Sequence, residues 1–424
     1  MNLLSLRAYS LCLLLLLLMT EGCRPKRKTE DQPPAAKPAG IDQIHFFMET
    51  SASMGGYLRG GTEFKDVVSE VITKANTIRP VTIWTIAEQA KRYEGTPADF
   101  VTDLATTPLA TERSSKLHTI FDRVGKQAAG NNIALLVSDC ILSFPDEEIR
   151  KNREINRTDA SSVLKNNIYD EFSRLKRQGI SATVYAFRSQ FNGTYYDYRN
   201  TRTALSGESR PFYLWAIGRQ ELLVDFNRKL QDMLTTRPAK ILDFSNSTAL
   251  NRYELFFSLN KKGEWRAKNN NITELEARPG KPAEFALGLD LSGLPTYAQA
   301  EDFLKKNLAI SSKDAAVKLL SVQKKENVPT EKRLSEREER LLNQSTHVLT
   351  FRVDNMFAGE AAVTARLPVR FDNWYEKEWT TMDDRIPAER QNKTFALQHL
   401  MNGVKEAYQS STNDFLVLNF KLVK

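Results

Sequence analysis

The sequence predicts an α/β chain in which a doubly wound, mostly parallel sheet is followed by a β-rich, sandwich-like domain. Two observations carry this. Up to about residue 238, nearly continuous apolar runs alternate with amphipathic helical stripes, and past Ala239 the hydrophobic period shortens to two. A chain of 424 residues is long enough for two cores.

In the first half the expected strands are Ile44 to Met48, Val81 to Ile86, Ile133 to Val137, Ala182 to Phe187 and Pro211 to Ile217. Their unbroken apolarity suits strands covered on both faces. Between them, Phe64, Val67, Val68, Val71 and Ile72 form one helical stripe, and Leu117, Ile120, Phe121 and Val124 a second. Tyr169, Phe172 and Leu175 mark a third helix, and Leu222, Leu223, Phe226, Leu230 and Met233 a fourth. Strand and helix in alternation argue for a parallel sheet with helices on both sides.

In the second half, Val363, Ala365, Leu367 and Val369 alternate with Thr364, Arg366 and Pro368, and His347, Leu349, Phe351 and Val353 repeat that spacing. "RYELFFSL", "AEFALGLDL" and "DFLVLNFKLV" add strands, which predicts an antiparallel sandwich over 239–424. Helical patterns at Ala298 to Leu308, Glu336 to Asn343 and Phe395 to Tyr408 interrupt it.

Residues 1–23 read as a lipoprotein-type signal, with Arg7, the apolar run Leu11 to Met19 and then Thr20-Glu21-Gly22-Cys23. The run is too short for a membrane span. The resemblance to bacterial lipoprotein signals implies lipidation of Cys23, and Glu21 departs from that pattern. An ordinary cleaved signal is the alternative. Residues 24–40, "RPKRKTEDQPPAAKPAG", have the composition of a solvated tether. The expectation is an exported protein, lipid-anchored to a bacterial envelope membrane at the outer membrane or cell surface. With Cys12 in the signal and Cys23 lipidated, Cys140 has no internal partner, so disulfides do not hold the fold. The net charge of +8 is diluted over a chain with 26% charged residues and no nucleic-acid motif, which argues against a nucleic-acid partner.

"IHFFMETSASMGG" places Glu49, Ser51 and Ser53 at the end of the first strand. In an open parallel sheet the loops leaving the carboxyl ends of strands build the binding crevice. The hydroxyl-rich turn "TERSSKLHT", Thr111 to Thr119, and Ser138-Asp139 fall at the same end. Turn and helix capping accounts for such residues without any ligand. The constellation also resembles the von Willebrand factor A family, where DxSxS follows the first strand, a threonine comes from a second loop and an aspartate follows a later strand. Over residues 41–238 the order of elements is similar, and "RPFYLWAIG" suits the last strand.

That resemblance implies a metal-ion-dependent adhesion site. Glu49 replaces the first aspartate, Ser51 and Ser53 match the serines, Asp139 matches the later aspartate, and Ser115 or Ser114 stands nearest the threonine position. The implied ligand is Mg²⁺ or another divalent cation, which accepts hydroxyl and carboxylate oxygens. The implied partner is a protein or peptide whose acidic side chain fills the open coordination position. Tyr57 and Arg59, flanked by Gly55-Gly56 and Gly60-Gly61, are expected at a partner-binding rim.

The four histidines are scattered without ligand spacing, and no GxSxG, HExxH or phosphate-loop motif occurs. The Ser-x-x-Lys patterns at Ser162 to Lys165 and Ser173 to Lys176 lack the accompanying motifs of penicillin-binding enzymes. The expectation is therefore a non-catalytic, membrane-tethered binding module, with a metal-free envelope scaffold as the alternative and a metal-dependent hydrolase behind both.

Overall fold

The computed structural model describes residues 40–107, 109–110, 112, 116–142, 146–245, 249–329, 334–409 and 414–424, without the side chains of 158–161. The expected signal with Cys23, the expected tether up to residue 39 and the Ser114 and Ser115 positions lie outside the described residues. Gly40–Lys424 forms one compact unit.

Its largest sheet has seven strands: β1 (Ile44–Glu49), β2 (Val81–Ile86), β3 (Ala90–Arg92), β4 (Ile133–Ser138), β5 (Ile180–Tyr196), β6 (Arg202–Arg219) and β7 (Lys240–Phe244). Their order is β3-β2-β1-β4-β6-β5-β7. The helices are α1 (Glu63–Ile78), α2 (Pro97–Thr106), α3 (Leu117–Gln127), α4 (Lys165–Arg177) and α5 (Gln220–Met233). Phe46, Met48, Leu135 and Leu214 pack against α1, α2 and α5, whereas Phe47, Leu136 and Trp215 pack against α3 and α4. Double coverage explains the unbroken apolarity of β4, every residue of which is buried.

The parallel part is the centre, β2-β1-β4. β6 runs antiparallel to both β4 and β5, so "RPFYLWAIG" is not a parallel last strand. The reason is local. No helix separates β5 from β6, and a tight turn joins them, in which Asp197 Oδ1 accepts from the Arg199 and Thr201 amides, both at 2.8 Å. Strands joined by a tight turn must pair antiparallel.

After β7 come two further sheets. One has the order β12-β15-β18-β10-β9 and the other β13-β14-β11-β8. Their strands are β8 (Glu254–Leu255), β9 (Glu264–Lys268), β10 (Asn271–Glu276), β11 (Ala283–Leu289), β12 (Ala309–Ser311), β13 (Ala315–Lys324), β14 (His347–Met356), β15 (Glu360–Pro368) and β18 (Asp414–Val423). Both sheets feed one core, where Phe285 and Phe351 meet Phe420 at ring-centroid distances of 5.5 and 5.6 Å. The pairing is not wholly antiparallel, because β10 lies parallel to β18. Helices α6 (Glu301–Asn307) and α7 (Glu336–Gln344) are inserted between strands.

Between β15 and β18 the chain returns to the first sheet. The short strands β16 (Thr380–Thr381) and β17 (Thr394–Phe395) pair, and α8 (Leu397–Tyr408) packs along α4. Gly403 permits that approach, since a Cβ there would lie 2.6 Å from the Lys165 carbonyl oxygen. The Tyr408 hydroxyl donates to Ile180 O at 2.7 Å, anchoring α8 at the start of β5.

Candidate functional site

The site forms where β1 and β4, parallel neighbours, end side by side. Thr50 N donates to Ile86 O at 2.9 Å, keeping the chain in the sheet one residue past β1. Ser51 is extended and leads into a single 3₁₀ turn, Ala52–Gly56. Ser51 also forms a parallel bridge with Glu112, and Glu112 N donates to Thr50 O at 3.1 Å. The loop before α3 is thereby drawn beside the end of β1.

Glu49 is 3% exposed and Asp139 1% exposed, so both carboxylates lie below the surface. The Ser51 hydroxyl donates to Glu49 Oε1 at 2.7 Å and lies 3.0 Å from the Ser53 hydroxyl. Ser138 Oγ donates to Glu49 Oε2 and accepts from Cys140 N. Asp139 Oδ1 accepts from Ile141 N at 3.0 Å, while Oδ2 is buried without a hydrogen-bond partner. Burial pushes the Asp139 carboxyl above its ordinary value, against the opposing pull of the Ile141 amide, of the nearby Ser53 hydroxyl, which falls short of a hydrogen bond to it, and of the Arg210 charge.

The structure thus brings together Glu49, Ser51, Ser53 and Asp139, and adds Ser138 as the clamp on the second oxygen of Glu49. Cys140 follows with a positive φ of 54°, a strained conformation for a residue with a Cβ. Its thiol is buried, receives the Trp215 indole N–H at 3.4 Å and is pushed up from its ordinary value by burial. That is the environment of an inert packing residue.

Tyr57 is not a rim residue. It is 1% exposed, its hydroxyl donates to Pro211 O at 2.6 Å, and its ring packs against Phe64, Phe191 and Phe212. The turn after Ser53 folds inward because Gly56 and Gly193 meet backbone to backbone; a Cβ on Gly56 would overlap the Phe191 ring at 2.2 Å. Arg59, two residues on, is exposed.

Sequence reasoning missed the buried cation behind the site. Arg210 is 1% exposed; its Nη1 donates to Arg390 O at 2.7 Å and its Nη2 to the Tyr195 hydroxyl at 3.2 Å. Burial opposes its charge, but Tyr195, Tyr57, Asp384 and Glu208 together hold its pKa above the ordinary value. Arg390 in turn pairs with Glu208 through Nε at 2.8 Å and Nη2 at 2.9 Å. The only sequence signal was a charged residue directly before the apolar run starting at Pro211.

Chemically, the cluster offers hard oxygen donors alone, the set that Mg²⁺, Mn²⁺ or Ca²⁺ accepts. Among the described residues no three His, Cys, Asp or Glu side chains converge, so a cation here would depend on the serine hydroxyls. The unpartnered Asp139 Oδ2 fits a ligand role. Glu49, with hydroxyls on both oxygens, fits an indirect one.

No protein-family model matches the sequence, and no curated protein matches it. Among solved structures, a von Willebrand factor type A protein from Catenulispora acidiphila is similar over 51% of this chain and 61% of that one, with 11% identity and a TM-score of 0.17. The similarity spans about three fifths of that protein's length, and at that score it carries no argument. The topology rests on the strand pairings themselves. No helix among the described residues is long and apolar enough to cross a membrane.

Proposed function

We propose that this chain is a non-catalytic binding module, exported and tethered to an envelope membrane through Cys23, that holds a divalent cation between Ser51, Ser53 and Asp139. Glu49 orients Ser51 and supports the charge, and a carboxylate from a protein or peptide partner completes the coordination. The observation that carries the reading is the buried Asp139 Oδ2 without a hydrogen-bond partner, beside the paired serine hydroxyls. A buried carboxylate oxygen without a donor is costly unless a charge balances it.

Isothermal titration of Gly40–Lys424 with Mg²⁺, Mn²⁺ and Ca²⁺ tests this. Saturable binding that disappears in Asp139→Ala, with folding retained, is the expected result. A cation affinity unchanged in that variant sinks the site. A second reading, a metal-free scaffold within an envelope complex, is favoured by Arg210, whose charge already acts on Asp139. Absence of binding by all three ions in the parent chain selects it.

A further inference from the structure

A cavity of about 280 Å³ opens between the β5–β7 edge of the large sheet, α5 and the segment 292–299. Thr183 and Asp243 are register partners across β5 and β7 and present their side chains together. Thr183 Oγ1 accepts from Asn227 Nδ2 at 2.7 Å and donates to Asp243 Oδ1 at 2.5 Å. This relay leaves Asn227 Oδ1 without a partner, and Ser245 Oγ and Gln220 Oε1, also in the wall, lack one too. Asn227 is 7% and Ser245 3% exposed, so bulk water does not satisfy them.

No basic side chain among the described residues pairs with Asp243. Arg228, the basic residue of the lining, is turned to Asp225 on its own helix. Asp232 adds a second carboxylate to the lining, and Leu223 and Leu294 supply apolar wall. The cavity therefore combines an uncompensated negative charge with an apolar side. Its volume falls at the lower edge of the range for small-molecule pockets, roughly 300–1,000 Å³.

We propose that this cavity binds a small organic amine, with its ammonium group against Asp243 and its alkyl portion along Leu223 and Leu294. An ammonium donates hydrogen bonds and accepts none, which matches the acceptor capacity of the Asp243 carboxylate. Burial raises the Asp243 carboxyl to about 6, against the Thr183 hydrogen bond, and a cationic guest would reverse that rise. The assignment is independent of the cluster around Asp139.

The test is titration of the purified chain with 1,4-diaminobutane and with its neutral counterpart 1,4-butanediol. Saturable diamine binding, at least tenfold tighter than any diol binding and at least tenfold weakened in Asp243→Asn, is expected. Thr296→Trp, placed on an exposed lining position, should block entry and abolish the signal in a folded protein. Asp139→Ala should leave it unchanged. Equal binding of the diol, diamine affinity retained in Asp243→Asn or Thr296→Trp, its loss in Asp139→Ala, or no saturable diamine binding at all would each overturn the proposal.

Discussion

Glu338 offers the sharpest test of how the second half is held together. It sits in the first turn of α7, fully buried, and its Oε1 accepts from the amides of Phe257, Ser258 and Leu259 at 3.0, 2.7 and 3.3 Å. Oε2 takes the Ser258 hydroxyl at 2.5 Å. One carboxylate thus closes the chain after β8 onto a helix about eighty residues later. In Glu338→Ala the Leu259 amide loses its acceptor in a buried setting, at about 1–3 kcal/mol, and two half-buried amides lose theirs at roughly 1 kcal/mol each. The expected destabilisation is about 3–5 kcal/mol by urea unfolding followed through tryptophan fluorescence. Glu338→Gln keeps an acceptor for the amides and should cost about 1 kcal/mol. An alanine variant within about 1 kcal/mol of the parent, or one no worse than glutamine, would refute the argument.

Other outcomes follow from the same geometry. Asp243 has a folded pKa of about 6 against an ordinary 3.8, so the folded state holds its proton more tightly than the unfolded one. Its contribution to stability is therefore fully present below pH 4 and is lost as pH rises through 6. The stability of Asp243→Asn relative to the parent should grow over that window by up to about 3 kcal/mol, and a pH-independent difference in paired urea titrations would contradict this. Gly56→Ala must displace Phe191 and should cost about 1–3 kcal/mol in thermal or urea unfolding. Tyr57→Phe leaves the Pro211 carbonyl without its donor and should cost about 1–2 kcal/mol, with no change in cation titration beyond that of a destabilised fold.

Much of the site was legible because its residues follow strand ends. Ile44 to Met48 and Ile133 to Val137 are the apolar runs expected of doubly covered strands, which places Glu49 and Asp139 at the same edge of a parallel pair, where they emerge. Ser138 was visible as part of the polar group, but its bond to Glu49 depends on the register between β1 and β4. Tyr57 was misread for a related reason. A tyrosine between glycine pairs suggests an exposed turn, yet one of those glycines, Gly56, lets the backbone of the turn close onto Gly193 of β5 and carries the ring inward.

Local periodicity determined which segments are strands and helices, because burial on one face or two leaves a period of two, of 3.6 or none. It also determined that carboxylates and serines cluster at one sheet edge. Tertiary structure alone decided the rest. Ser335-Glu336-Arg337-Glu338 has the pattern of a reciprocal helix cap, yet the Glu338 carboxylate serves amides about eighty residues earlier. The helix Leu397–Tyr408 looks like an insertion among strands, yet it covers the first sheet through Gly403 and Tyr408. Arg210 lost its water, and Asp243 part of its own, only when neighbours from distant segments packed over them. Burial of a charge is set by what packs over it, and nothing within a few residues of either records that.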